Sequence, residues 1–219
     1  VRLLQAIAMA RFVRRCFPAV CSITVLLWGV SADWMATTTG DRESAEKLHS
    51  HLRERFGQQI DAIQVDDIRS FYWWGNKVQN EMEVRTLVDS EVGFSDLLEA
   101  TQSVHPYELP MIVSAAPRGT LINKRDKPDR YLMAVVDVNE TTVDVAEAIA
   151  EELVKVRYVA CAQVEKLEDR DDTYRLTLKT TGYGKPHLLR EFGGLQFDWT
   201  PLRGNQAYLD WLDTSVKPM

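Results

Sequence analysis

From residue 33 onward the chain repeats one order of hydrophobic periods, and that repetition restricts the fold more than any single residue does. A β-type run at 34–39 leads into a helical period with Ala45, Leu48 and Leu52 on one face and Asp41 at the N-cap position. A strand pair follows at 60–74 and 82–88. Phe94, Leu97, Leu98 and Thr101 then share a helix face, and a β run at 109–115 closes the set. The same order returns with a β run at 131–138, then a helix opened by Thr141 or Thr142 that aligns Val145, Ile149, Leu153 and Val156. A strand pair at 158–167 and 173–180 comes next. Leu188, Leu189 and Phe192 mark a short helix stopped at Gly193-Gly194, and 195–199 is the last β run. In the second pair Tyr174, Leu176 and Leu178 alternate with Arg175, Thr177 and Lys179, the period of a half-buried strand.

The order β-α-β-β-α-β, met twice, predicts an α+β fold of two tandem ferredoxin-like repeats, each an antiparallel four-stranded sheet with two helices on one face. Short echoes agree: Ala45-Glu46 with Ala146-Glu147, and Ala62-Ile63-Gln64-Val65 with Cys161-Ala162-Gln163-Val164. The repeats occupy 33–117 and 131–219, joined by a polar linker at 118–130 that holds Gly119 and Pro128. The second repeat carries an extra helix with Tyr208, Leu209, Leu212 and Val216 on adjacent turns, an apolar face in need of a cover.

Residues 1–32 read as a targeting segment. An apolar stretch at 16–30 follows Arg11, Arg14 and Arg15 and leads to Val30-Ser31-Ala32, the layout of a secretory signal. It is shorter than the roughly 20 apolar residues that span a bilayer. Secretory-pathway or membrane-associated placement follows, with a mitochondrion or plastid transit segment as the alternative for an acid-free, arginine-bearing leader. A third reading makes 16–30 a buried element, or Met35 the true start. Ahead of Asp33 there are four arginines and no acid, so a whole-chain charge of −6 less those four leaves −10 on the remainder. Such a body argues against nucleic acid, which needs a basic surface, and suits cations. Without Cys16 and Cys21 of the leader, Cys161 has no partner for an internal disulfide.

Several residues invite a chemical reading beside a plain one. The aromatic run Phe71-Tyr72-Trp73-Trp74 suits a hairpin plugged into a neighbouring subunit, or one wall of a shared ligand pocket. Asn76 after Gly75 is good turn chemistry. Pro106 ends a helix at His105, so His105, Tyr107 and Glu108 form either a hydrogen-bonded corner or a ligand cluster in which imidazole and carboxylate hold a borderline metal. Cys161 reads as a small buried strand residue. His49, His51 and His187 read as surface groups. No nucleophile elbow, P-loop, dinucleotide fingerprint or C-x-x-C pair occurs, which argues against an enzyme. Arg118-Gly119-Thr120 is the nearest thing to an acylphosphatase-type phosphate loop.

Three stretches resemble the CutA family of divalent-cation tolerance proteins: Ser70-Phe71-Tyr72-Trp73-Trp74-Gly75-Asn76-Lys77-Val78-Gln79, His105-Pro106-Tyr107-Glu108-Leu109-Pro110, and Gly204-Asn205-Gln206-Ala207-Tyr208-Leu209-Asp210-Trp211-Leu212. Tyr158-Val159-Ala160-Cys161-Ala162-Gln163-Val164 is similar to the family's Ala-Ala-Cys strand, and Asp41-Arg42-Glu43-Ser44-Ala45-Glu46-Lys47-Leu48 also fits, all in the family's order. The signatures are split. The first repeat keeps the aromatic arm and His-Pro-Tyr-Glu but has Ala62 in the cysteine's place, while the second keeps Cys161 and the terminal helix.

The resemblance implies a PII-like, non-enzymatic homotrimer with edge strands paired between subunits. It would bind Cu(II) or another divalent cation through His105, Glu108 and Cys161, without an organic cofactor. Tyr72, Trp73, Trp74, Tyr107, Tyr208 and Trp211 would line the ligand or subunit interface. Two alternatives stand beside it: a metal-indifferent scaffold for a membrane-associated partner protein, and a PII-like sensor of a small anion, which the −10 body disfavours.

Overall fold

The computed structural model describes residues 33–115, 130–139 and 141–217. The targeting segment and all of the 118–130 linker but Arg130, Arg118-Gly119-Thr120 included, lie outside them. The elements are β1 (Asp33–Thr39), α1 (Arg42–Phe56), β2 (Ile60–Trp74), β3 (Lys77–Ser90), α2 (Phe94–Val104) and β4 (Ile112–Ala115), then β5 (Tyr131–Val138), α3 (Val143–Lys155), β6 (Cys161–Lys166), β7 (Tyr174–Thr181), α4 (Gly184–Phe192), β8 (Asp198–Gly204) and α5 (Gln206–Ser215). The fold is mixed α+β, and the doubled order of strands and helices is the one the periods predict.

Local chemistry sets several boundaries. The Asp41 carboxylate accepts the Ser44 N–H at 2.7 Å and caps α1. Gly75 and Asn76, at φ 59° and 65°, make the two-residue turn between β2 and β3, where both central residues must be left-handed. The last strand runs Asp198–Gly204 and not 195–199. Leu195 and Phe197 instead pack from the preceding loop onto the second half's core. Pro201 is tolerated because β8 passes there from its ladder with β5 to its ladder with β4.

Where two separate four-stranded sheets were the expectation, the eight described strands form one closed sheet in the order β1-β3-β2-β6-β7-β5-β8-β4, with β4 returning to β1. Each half keeps the same internal order, β4-β1-β3-β2 and β8-β5-β7-β6. Like edges then join, β2 to β6 and β4 to β8. An isolated half would expose two edge strands, and the second half, tethered at high effective concentration, pairs β4 and the 69–72 stretch of β2.

Strand alternation divides the core in two senses. Met35, Val88 and Ile112 face α1 and α2, where Leu48, Leu52 and Leu97 cover them. Ala134, Val136, Leu176 and Leu178 face α3 and α4 in the same way. The opposite faces look into the barrel. There Ala36, Val113, Ala160 and Leu202 meet Tyr208, Leu209 and Leu212, so the apolar face of α5 is covered by the barrel interior. Phe71, Trp73 and Val78 of the β2–β3 hairpin belong to the second half's core. The aromatic arm therefore plugs into the other half of its own chain.

Candidate functional site

The retained parts of the two halves converge at the seam between β2 and β6. Arg69, Ser70, Phe71 and Tyr72 pair with Val164, Gln163, Ala162 and Cys161, and the Trp73 N–H donates to the Ala160 carbonyl at 3.0 Å. Phe71 and Ala162 turn toward the helices. By strand alternation Ser70, Tyr72, Cys161 and Gln163 turn into the barrel. From β7, Lys179 stands opposite Cys161 and donates to Gln163 Oε1. From β3, Glu83 accepts the Thr38 hydroxyl at 3.1 Å. Cys161, Gln163, Lys179 and Glu83 are all buried, and Lys179 is only 2% exposed.

Burial dominates the electrostatics of this cluster. It pushes the Cys161 thiol up to about 11, against the pull of the Lys179 charge. It draws the Lys179 ammonium down to about 8. It also raises the Glu83 carboxyl, against hydrogen bonding from Ser70 and Thr38. The Tyr208 phenol, from α5, is raised by burial and by the fields of Cys161 and Glu83. Its Oη is buried without a hydrogen-bond partner among the described residues.

The same seam fastens α5 to the arm. Trp211 Nε1 donates to the Trp73 carbonyl at 3.2 Å, and the Tyr208 and Trp211 rings lie 5.2 Å apart. The Arg157 guanidinium sits 5.3 Å over the Trp73 ring and donates through Nε to the Ser215 carbonyl at 2.8 Å. Tyr72 donates to Glu81 at 2.8 Å, and Trp74 at the hairpin tip is half exposed. Further along the interior Arg85 bridges Asp66 at 2.9 Å and Glu165 at 2.8 Å, tying β2, β3 and β6 together.

His105 sits elsewhere. Pro106 holds it in extended geometry at the C-cap of α2. The Tyr107 N–H donates to Nδ1 at 3.2 Å. A backbone N–H can only donate, so Nδ1 accepts and the proton is on Nε2, which meets Thr37 Oγ1 at 3.1 Å. Both ring nitrogens are thus engaged, and burial lowers the imidazole to about 4. Tyr107 packs against His105 at 5.4 Å, and Glu108 is exposed. Thr37 shares the helix-side parity of Met35, whereas Cys161 faces the barrel. Among the described residues no three His, Cys, Asp or Glu side chains gather as a metal group, and His105, Glu108 and Cys161 are not brought together.

Lys179, Glu83, Gln163 and Arg85 were not singled out by sequence. In β7 the alternation of Arg175, Thr177 and Lys179 with leucines reads as a wet face, and in a closed barrel that face is the interior. His49, expected at the surface, is half-buried on Thr86 Oγ1 at 3.1 Å. His187 stacks on Tyr158 at 4.5 Å.

Residues 34–121 match the family model for "CutA1 divalent ion tolerance protein". The divalent-cation tolerance protein CutA of Pyrococcus horikoshii is 35% identical over 79 residues, 35% of this chain and 74% of that protein. The CutA protein of Thermococcus kodakarensis is 35% identical over 77 residues, 35% of this chain and 72% of that protein. A solved structure of the periplasmic divalent cation tolerance protein CutA from Archaeoglobus fulgidus aligns with a TM-score of 0.36 at 22% identity, over 42% of this chain and 88% of that one.

Proposed function

Because this chain belongs to the CutA1 divalent ion tolerance family, we propose that it is a non-enzymatic divalent-cation tolerance protein built from two ferredoxin-like repeats, 33–117 and 131–219, that form one composite site. The pairing of Tyr72 with Cys161 carries this reading, because it unites what each repeat kept. Cys161 supplies a soft sulfur, the Glu83 carboxylate acts electrostatically on it, and Gln163 shares its strand face two residues on, a sulfur-and-oxygen set of the kind suited to copper or another borderline divalent ion. The thiol must lose its proton to ligate, and Lys179 must yield its charge beside an incoming cation. Uptake should therefore release protons and strengthen with pH.

One chain suffices for this site. The family's homotrimer rests on edges paired between subunits, and here the β4–β8 ladder and residues 69–72 of β2 on β6 make such pairings within one chain. Delivery to the secretory pathway or a membrane, or to a mitochondrion or plastid, rests on residues 1–32. No helix of the described residues is long and apolar enough to cross a membrane.

A second reading, the metal-indifferent scaffold or PII-like module, is favoured by the double engagement of His105. Native mass spectrometry with and without Cu(II), on the wild-type chain and on Cys161→Ser, separates them. Whole-number metal uptake lost in Cys161→Ser supports the first reading. Uptake unchanged by Cys161→Ser, or none at all, sinks it.

A further inference from the structure

The sheet closes over only part of β2. β3 pairs along its whole length, but β6 reaches it only at 69–72, because β6 ends at Lys166 and turns into β7. From Ile60 to Ile68 the second edge of β2 has no strand beside it among the described residues. The Trp73 N–H points at β6, and the β2–β3 register is regular from Ala62 to Trp74. Backbone groups alternate sides along a strand, so those of Asp67, Val65 and Ile63 point at the open edge as well. Ala62, Gln64 and Asp67 are exposed along it.

The edge is acidic. Asp66 and Asp67 are answered by Arg85 and Arg42, but Asp61 and Asp89 have no ion pair among the described residues. The carboxyl of Asp89 is raised by burial and by Asp61, as uncompensated neighbours require. Acids can simply blunt an edge against aggregation. They also choose its partner. A second copy pairing antiparallel about Gln64 would set Asp61 of each copy opposite Asp67 of the other, a like-charge pair that destabilises a ladder.

We propose that residues 63–67 of β2 receive an extended segment of another protein bearing lysine or arginine at alternate positions, which adds to the sheet as a strand. Backbone hydrogen bonds would hold it, and the acids would select it. This interaction surface is separate from the composite site and does not depend on metal.

The test uses the full chain and a fluorescein-labelled peptide of alternating lysine with valine or threonine, eight residues long, read by fluorescence anisotropy. Methylating alternate backbone nitrogens of the peptide removes its donors from one edge and leaves its charge. Val65→Pro removes one outward donor of β2 and leaves the ladder to β3 intact. The expected result is saturable binding, weakened at least tenfold by the methylation pattern that faces β2 and by Val65→Pro, and lost when glutamate replaces lysine. Equal binding of methylated and unmethylated peptides means charge adsorption and overturns the proposal, as does absence of binding. A dimer in the peptide-free protein that Val65→Pro dissociates assigns the edge to a second copy and overturns it too.

Discussion

Tyr72 lies directly opposite Cys161 in the ladder between β2 and β6, so a residue of the first half's aromatic arm meets the cysteine that only the second half retains. The indole N–H of Trp211 on the Trp73 carbonyl repeats the relationship one layer away. Neither half alone presents these groups together. Closure through like edges brings these groups together within one chain.

The arm should therefore act as a clamp between halves. Trp73 packs on the second half's core and carries the Arg157 and Trp211 contacts, whereas Trp74 is half exposed. Trp73→Ala is expected to cost up to ~3–5 kcal/mol in urea denaturation, and Trp74→Ala under ~0.5 kcal/mol. Equal losses would show that the arm's contacts do not hold the halves.

Arg85 separates two carboxylates that would otherwise face each other. Its side chain is 9% exposed between Asp66 and Glu165. Arg85→Met should destabilise by at most the roughly 3–5 kcal/mol of a broken buried pair. Adding Asp66→Asn and Glu165→Gln should restore much of that loss, since the repulsion is then gone. A triple variant no more stable than Arg85→Met would refute this account of the bridge.

The doubled βαββαβ order, the Asp41 cap and the Gly75-Asn76 turn were legible because each depends on local period or local backbone geometry. Closure was not legible. Edge pairing between β2 and β6 joins residues some ninety positions apart, and nothing local distinguishes a neighbour within the chain from one in another subunit. The interior polar cluster was hidden for the same reason, since Lys179 and Glu83 alternate with apolar residues as solvent-facing groups do. His105 was found by its motif, but its role turned on hydrogen bonds to Tyr107 and Thr37 that spacing does not reveal.

Lys179 should weaken the fold below pH 8. Its pKa falls from 10.5 to about 8 on folding, so between those values the unfolded chain holds the extra proton and stability rises with pH. Below pH 8 both states are charged and the whole burial cost remains. Cys161 works oppositely from pH 9 to about 11, which leaves pH 8–9 as the clean window. Lys179→Met is expected to exceed the wild type by on the order of 1–3 kcal/mol at pH 7, with the gap narrowing from pH 8 to 9. A constant gap across pH 6–9 would mean that Lys179 keeps an ordinary pKa.

His105 contributes to the acid side of the profile, where the raised Glu83 carboxyl works in the opposite sense. Burial lowers its folded pKa from 6.5 to about 4, so as pH falls through 6.5 the unfolded chain takes up a proton that the folded chain refuses. The stability it contributes is complete above pH 6.5 and drains away between 6.5 and 4, with no further loss below 4. His49 is shifted in the same direction by its own burial, and adds to the slope. His105→Gln, which keeps a donor for Thr37 without titrating, should flatten the fall of the urea midpoint between pH 6.5 and 4 while leaving the His49 share. If the variant and the wild type fall in parallel, the imidazole is not the buried neutral corner that its bonds to Tyr107 and Thr37 make it.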